Sequence, residues 1–244
     1  MKIKVSILWV PFLPIFYVTH LYKVLFFLFL LMSIHEMMHI VCAIQLRYKI
    51  EKVIVYPFGL SATIQDFEYK NSWHELCITL SGLGVHILAA FFMPALSFFF
   101  HVSPSFLSYM QNANLSLLLF NALPIYPLDG GRIIRNILEL VFPFKQAKKI
   151  SLLTSIIIFF ICIFYFPFNK SQKFLFLVLF SFQYIILMKE YMQDIRSFYL
   201  YRYMHDCHKK LKIHHKNDLY KNFYNGIIKN GRIRSEKDVL REWI

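Results

Sequence analysis

His35-Glu36-Met37-Met38-His39 sets two imidazoles and a carboxylate within five residues. On an α-helix, positions i and i+4 project from one face, so His35 and His39 can grip one zinc ion together. Glu36, next to the first of them, is suited to take a proton from a water activated by that metal. The motif sits inside an almost unbroken apolar run, residues 21–44, long enough to cross a bilayer as a helix. Ionisable groups at membrane depth are costly, and their presence there calls for a function.

Catalytic zinc takes three protein ligands and keeps a fourth position open. The third must come from elsewhere in the chain, and acids are scarce. Beyond Glu75, only Asp129 and Glu139 occur before the C-terminal tail. Asp129 stands beside Gly130 and Gly131, which let the backbone approach closely. A carboxylate at that depth needs a cationic partner, and a metal ion supplies one. His35, His39 and Asp129 are therefore the expected ligands of one zinc ion. Glu36 is the expected general base, passing its proton to the leaving amine. Asn121 is the expected substrate-binding residue, donating to the substrate backbone or to the developing oxyanion.

These residues must be positioned by membrane helices. Of 244 residues 57% are hydrophobic and only 17% charged, which excludes an ordinary soluble domain. The fold class expected is an all-α polytopic membrane protein with about six transmembrane helices, at residues 5–19, 21–44, 73–100, 106–123, 150–166 and 174–188. Lys2 and Lys4 before the first segment resemble a signal peptide, but no small-residue cleavage site follows, so that segment is read as uncleaved. Residues 49–67 are too short and mixed to span. Their β-branched set, broken at Pro57-Phe58-Gly59, predicts a pair of short strands at the membrane edge, able to pair with an extended peptide. The sequence from Asn121 through Pro124, Pro127, Asp129, Gly130 and Gly131 predicts a broken helix lining a cavity, with helix resuming over residues 132–141.

The formal net charge of +13 would point a soluble protein toward nucleic acid. Here the cations cluster on one set of loops: Lys2 and Lys4, then Arg47, Lys49 and Lys52, then Arg132, Arg135, Lys145, Lys148 and Lys149, then the tail. Lys23, Lys170 and Lys173 are the sparse cations opposite. That bias makes the first side cytoplasmic, makes the lipid bilayer the partner of the basic residues, and gives no reason to invoke nucleic acid. His39 then lies about 9 Å of helix from the inner end, so the site is sunk in the membrane but opens to the cytoplasm. Cys42, Cys77, Cys162 and Cys207 are scattered and form no C-x-x-C pair or disulfide framework.

The pairing of H-E-x-x-H with Asn121, Pro124, Asp129 and Gly130 resembles the site-2 protease family of intramembrane zinc metalloproteases. That family joins H-E-x-x-H in one membrane helix to an N-x-x-P-x-x-x-x-D-G motif in a later one. The likeness covers about residues 1–190 and implies the third ligand at Asp129. Pro127-Leu128-Asp129-Gly130-Gly131, the span layout and the inward-opening site suggest the branch that processes a membrane-tethered pro-sigma factor during sporulation, in the mother-cell membrane around the forespore. Residues 1–190 are then the intramembrane metalloprotease domain. Residues 191–244 are a basic cytoplasmic tail with no room for the full CBS domain of that branch, and residues 191–212 are expected as a helix on the membrane surface. Implied partners are a membrane-tethered protein substrate and inhibitory or scaffolding membrane proteins.

Other readings stay open on the residues alone. A site-2 protease acting on an anti-sigma factor or signal-peptide remnant uses the same chemistry. A metal transporter or sensor needs a polar path through the bilayer, whereas the sequence shows one polar cluster near one side. His86, following Gly82 and Gly84, is read as a packed histidine. His205, His208, His214 and His215 are read as a solvated basic face.

Overall fold

A computed structural model describes residues 2–7, 9–10, 14, 22–57, 59–99, 101–165, 170–205, 209–215, 218–229 and 232–243. Their elements, in order, are β1 (Lys2–Val5), α1 (Tyr22–Gln45), β2 (Ile50–Tyr56), β3 (Gly59–Ile64), α2 (Ser72–Phe99), α3 (Pro104–Ala122), α4 (Asp129–Val141), α5 (Phe144–Tyr165), α6 (Lys170–Met204), β4 (Leu211–His214), β5 (Tyr224–Lys229), β6 (Arg232–Ser235) and α7 (Glu236–Trp243). Among the described residues, three helices are long and apolar enough to cross a membrane: Tyr22–Gln45, Ser72–Ala95 and Phe144–Tyr165. The first expected span, residues 5–19, lies mostly outside the described residues.

The long helices are built the opposite way from helices of a water-soluble core. On α1, Phe26, Leu30, Ile34, Met37 and Val41 are exposed, while His35 and His39 are buried. On α2, Ile87, Leu88 and Phe91 are exposed, while Glu75, Thr79 and His86 are buried. Apolar faces turned outward with polar groups turned inward suit a hydrocarbon solvent.

The chain divides into two compact units. The first comprises Met1–Phe67, His74–Leu123 and Leu128–Ile133. Its sheet has the order β1-β2-β3. The β2–β3 hairpin is the strand pair expected from the sequence, with Tyr56 opposite Gly59 and Val53 opposite Ala62. Gly59 has φ 139° and its Cα passes so close to α1 that a Cβ would stand 3.0 Å from Met32 Cβ, so glycine is needed twice over. β1 adds in parallel on the far side of β2, Ile3 opposite Val53, and Trp9 Nε1 donates to Val55 O at 3.2 Å.

α1 ends in a Schellman motif: Tyr48 N–H donates to Ala43 O and Arg47 N–H to Ile44 O, both at 2.9 Å. The left-handed position falls on Arg47, φ 61°, where glycine is usual. Tyr48 then packs on Ala43 and Ile78, the buried cluster of this unit. α3 begins at Pro104 behind Ser103, whose Oγ caps Phe106 N–H at 3.4 Å.

The second unit comprises Glu68–Trp73, Pro124–Pro127 and Ile134–Ile244. Residues 191–204, expected as part of a separate surface helix over 191–212, are instead the last turns of α6, which runs unbroken to Met204, and residues 211–214 are strand. β4 pairs in parallel with β5, β6 pairs antiparallel with β5, and α7 follows. A piece this small buries too little surface to fold alone. It completes its core with preceding helices: Leu219, Ile227, Val239 and Leu240 cluster with Phe144 of α5 and with Ile195 and Phe198 of α6. Phe144 and Phe198 stack with ring centroids 4.1 Å apart.

A buried ion network runs through this unit. Glu139 accepts from Lys221 Nζ at 2.7 Å and from Ser72 Oγ at 2.9 Å, with Arg135 Nε at 3.5 Å. Arg135 Nη1 donates to Glu68 Oε1 at 2.8 Å, and Lys148 meets both Glu68 and Asp194. Burial alone would push the Glu68 carboxyl up, but Arg135 and Lys148 hold it well below the usual carboxylate range. A group depressed in the folded state stabilises fully above its unfolded pKa, near 4.5, and that stabilisation is lost as pH falls below it. On going from about pH 5 to about pH 3, the Tm of the detergent-solubilised protein is therefore expected to drop less for Glu68→Gln than for wild type. Equal drops would show that Glu68 contributes nothing to the acid sensitivity.

Candidate metal centre

α1 delivers His35 and His39 on one face, as i and i+4 spacing requires. His39 Nε2 lies 3.1 Å from His35 Nε2, and Asp129 Oδ2 lies 3.1 Å from His35 Nε2 and 3.3 Å from His39 Nε2. The structure thus brings together all three expected ligand atoms. Glu36 is at the same place: one donor atom each from His35, Glu36 and His39 lie within 4.8 Å of one another. Asn121, on the last turn of α3, is buried with its Nδ2 lacking a hydrogen-bond partner.

Two close backbone approaches make the cluster possible. A Cβ on Gly82 would stand 2.2 Å from His39 Cε1, 2.4 Å from His39 Nε2 and 2.8 Å from His35 Cε1. The edges of both imidazoles therefore come up against bare backbone of α2. A Cβ on Gly130 would stand 2.2 Å from Ala122 O and 2.3 Å from Leu123 O. The missing side chain lets the start of α4 lie on the carbonyls that end α3, and Asp129 is the residue just before it.

The donor set fits a metal ion. His39 Nδ1 is 2.7 Å from Ile78 O, and a carbonyl only accepts, so Nδ1 carries the ring proton. His39 Nε2 is then a bare lone pair facing a carboxylate oxygen and a second ring nitrogen. One proton on His35 Nε2 could serve only one of those contacts, whereas one cation serves all three. The 3.1–3.3 Å separations match the roughly 3.3 Å edge of a tetrahedron whose metal–ligand bonds are about 2.0–2.1 Å. The hydrogen bond to Ile78 O is the kind of outer contact that orients metal-ligating histidines.

Residues 101–164 match the model of peptidase family M50. The chain is 31% identical over 138 residues to stage IV sporulation protein FB of Bacillus subtilis, an alignment covering 55% of this chain and 46% of that protein. It is also 31% identical over 127 residues to the zinc metalloprotease MJ0392 of Methanocaldococcus jannaschii, covering 51% of this chain and 37% of that one.

Part of this chain is thus similar to peptidase family M50.

The solved site-2 protease from Methanocaldococcus jannaschii shares its fold, with a TM-score of 0.55 and 24% identity over 78% of this chain and 92% of that one. The chain spans under half the length of both curated relatives it matches. The stretch matched to the M50 model contains Asn121 and Asp129, while His35, Glu36 and His39 lie outside it.

Sequence reasoning did not single out Asn114, which is buried and bonded to His86. The sequence signal was weak, since Asn114 stands in the polar stretch Gln111-Asn112-Ala113-Asn114 of α3 and only its burial sets it apart. His214 and Asn225 are joined at 3.1 Å in the tail sheet, whereas His205 is exposed.

Proposed function

We propose that this chain is an intramembrane zinc endopeptidase that cleaves a membrane-tethered regulatory pro-protein. The convergence of His35 Nε2, His39 Nε2 and Asp129 Oδ2 within 3.3 Å, beside Glu36 and on an apolar helix, carries the reading. His35, His39 and Asp129 hold one zinc ion. When bound, zinc makes water a nucleophile near neutral pH and polarises the scissile carbonyl.

The protein's own groups do the rest. The Glu36 carboxylate takes a proton from the attacking water and delivers it to the amine nitrogen as the peptide bond breaks. The unpartnered Asn121 Nδ2 donates to the substrate carbonyl oxygen as negative charge grows there. In the three-stranded sheet β2 has β1 on one side and β3 on the other. An unwound substrate strand therefore adds along the outer edge of β3 rather than to β2. Within the stretch 49–67 expected to pair with a peptide, the holding edge is then residues 59–64.

We further propose about six spans, with the site opening to the cytoplasm. Residues 1–190 form the protease domain, and residues 191–244 a cytoplasmic tail whose core is shared with α5 and α6. The likeness to a sporulation protein favours a pro-sigma factor as substrate, in the mother-cell membrane, with inhibitory or scaffolding membrane proteins as further partners. An anti-sigma factor or a signal-peptide remnant is the rival substrate.

Co-expression with each of these tethered substrates, read by product size on a gel, tests the reading. A new, shorter product that depends on this chain is expected for the pro-sigma factor. Zinc flux into proteoliposomes without cleavage of any of the three would instead identify a transporter.

A further inference from the structure

His86 lies on α2 one helical turn after Gly82, the residue against which both metal-binding imidazoles rest. It is fully buried, and its ring centroid is 5.0 Å from that of His35. Asn114 of α3 grips it twice. Asn114 Nδ2 donates to His86 O at 2.8 Å, and Asn114 Oδ1 lies 2.9 Å from His86 Nδ1. The backbone carbonyl can only accept, so the amide's NH2 must face it and the amide oxygen must face the ring. An amide oxygen also only accepts, so the proton of the neutral ring is on Nδ1. Asn114 therefore fixes the tautomer of His86 and leaves Nε2 as a lone pair. That Nε2 is buried with no hydrogen-bond partner among the described residues.

His35 presents the complementary vacancy. With Nε2 directed at Asp129 and His39, a metal-ligating His35 carries its proton on Nδ1, and Nδ1 is also buried with no hydrogen-bond partner. His39 has its outer acceptor in Ile78 O, whereas His35 has none. Two collinear imidazoles joined by an N–H···N bond of about 2.9 Å have centroids roughly 5 Å apart, so the observed spacing needs ring rotation more than translation. Leaving a buried donor and a buried acceptor both unpaired is costly, and pairing them removes both costs.

We propose that His86 is a positioning residue for the metal centre. In the loaded protein its Nε2 accepts the His35 Nδ1–H bond, and the chain Asn114–His86–His35 sets the tautomer and the aim of the first ligand. The inference rests on the metal reading above and adds a residue pair that H-E-x-x-H and Asp129 do not contain. A histidine or asparagine within an apolar helix is expensive, and this role accounts for both.

The test measures zinc affinity of the full chain purified in detergent, by competition with a chelator of known Kd, alongside the visible absorption of the Co2+-loaded protein. Loss of an outer-shell partner typically weakens metal binding about 10–100-fold, and that loss is expected for His86→Phe. Asn114→Leu, which leaves His86 in place but frees its tautomer, is expected to weaken binding about 3–10-fold. His86→Gln, whose Oε1 can stand where Nε2 stood, is expected to stay within about threefold of wild type and to keep its Co2+ spectrum. If His86 merely fills space, His86→Phe and His86→Gln lower the Tm while zinc affinity and spectrum stay at wild-type values, and the proposal is overturned. Should His86→Phe fail to fold, Asn114→Leu decides on the same readout. A wild-type protein that binds no zinc would sink the metal centre itself, an outcome distinct from wild-type binding retained by these variants.

Discussion

Glu36→Gln is expected to retain zinc at wild-type affinity and to lose about 10²–10⁴-fold in the rate of substrate cleavage. Glutamine has the volume of glutamate and can make hydrogen bonds, so the half-buried position on α1 stays filled. It cannot take up a proton at neutral pH, and carrying a proton from the water to the leaving amine is the role assigned to this side chain. The three ligand atoms belong to other residues, so metal content reports whether the site is otherwise intact. The pair of measurements, zinc content and single-turnover cleavage of a tethered substrate, separates the base from the metal. Undiminished cleavage by Glu36→Gln would remove Glu36 from the mechanism. Loss of both zinc and cleavage would make it a ligand instead.

Gly82→Ala is the second large effect. The added methyl would stand 2.2 Å from His39 Cε1 and 2.4 Å from His39 Nε2, far inside van der Waals contact. The ring cannot retreat freely, because its Nδ1 is held at 2.7 Å by Ile78 O, one turn earlier on the same helix. Either that bond breaks or α2 moves away from α1, and overpacking of this kind costs about 1–3 kcal/mol. Zinc affinity is expected to fall about 5–150-fold and cleavage with it, since about 1.4 kcal/mol is a tenfold change. Gly84→Ala is the internal control. A Cβ at Gly84 meets nothing within 4 Å, and alanine favours helix over glycine by about 0.5–1 kcal/mol. That variant should bind zinc as wild type does. Equal behaviour of the two variants would show that the imidazoles do not lie on the α2 backbone.

What could be foreseen and what could not follows the range of the interactions. His35 and His39 share a face because four residues is one helical turn, a local rule that any apolar helix obeys. The β2–β3 hairpin is local too, with β-branched residues on both sides of a proline and glycine turn. Asp129 is legible because acids are so few that a carboxylate near Gly130 demands a reason, and because the motif from Asn121 to Gly130 resembles a known one. Residues far apart in the chain but touching in space gave no such signal. β1 joins β2 across about fifty residues, with Ile3 opposite Val53, and nothing in Lys2–Val5 marks it as a parallel strand. The His86–Asn114 clasp spans 28 residues and two helices. The tail read as too small to fold because its missing core residue, Phe144, lies in α5. The end of α1 was hidden by chemistry rather than distance, since Arg47 occupies the left-handed position where glycine announces a helix stop.

The central claim is that two imidazoles and one carboxylate, brought within 3.3 Å by separate helices, hold a single zinc ion. The most direct measurement is zinc stoichiometry and Kd for the purified full chain, wild type against Asp129→Asn. The account predicts one zinc per wild-type chain and a Kd raised at least about tenfold when the anionic ligand becomes a neutral amide. Wild-type zinc affinity in Asp129→Asn would contradict it.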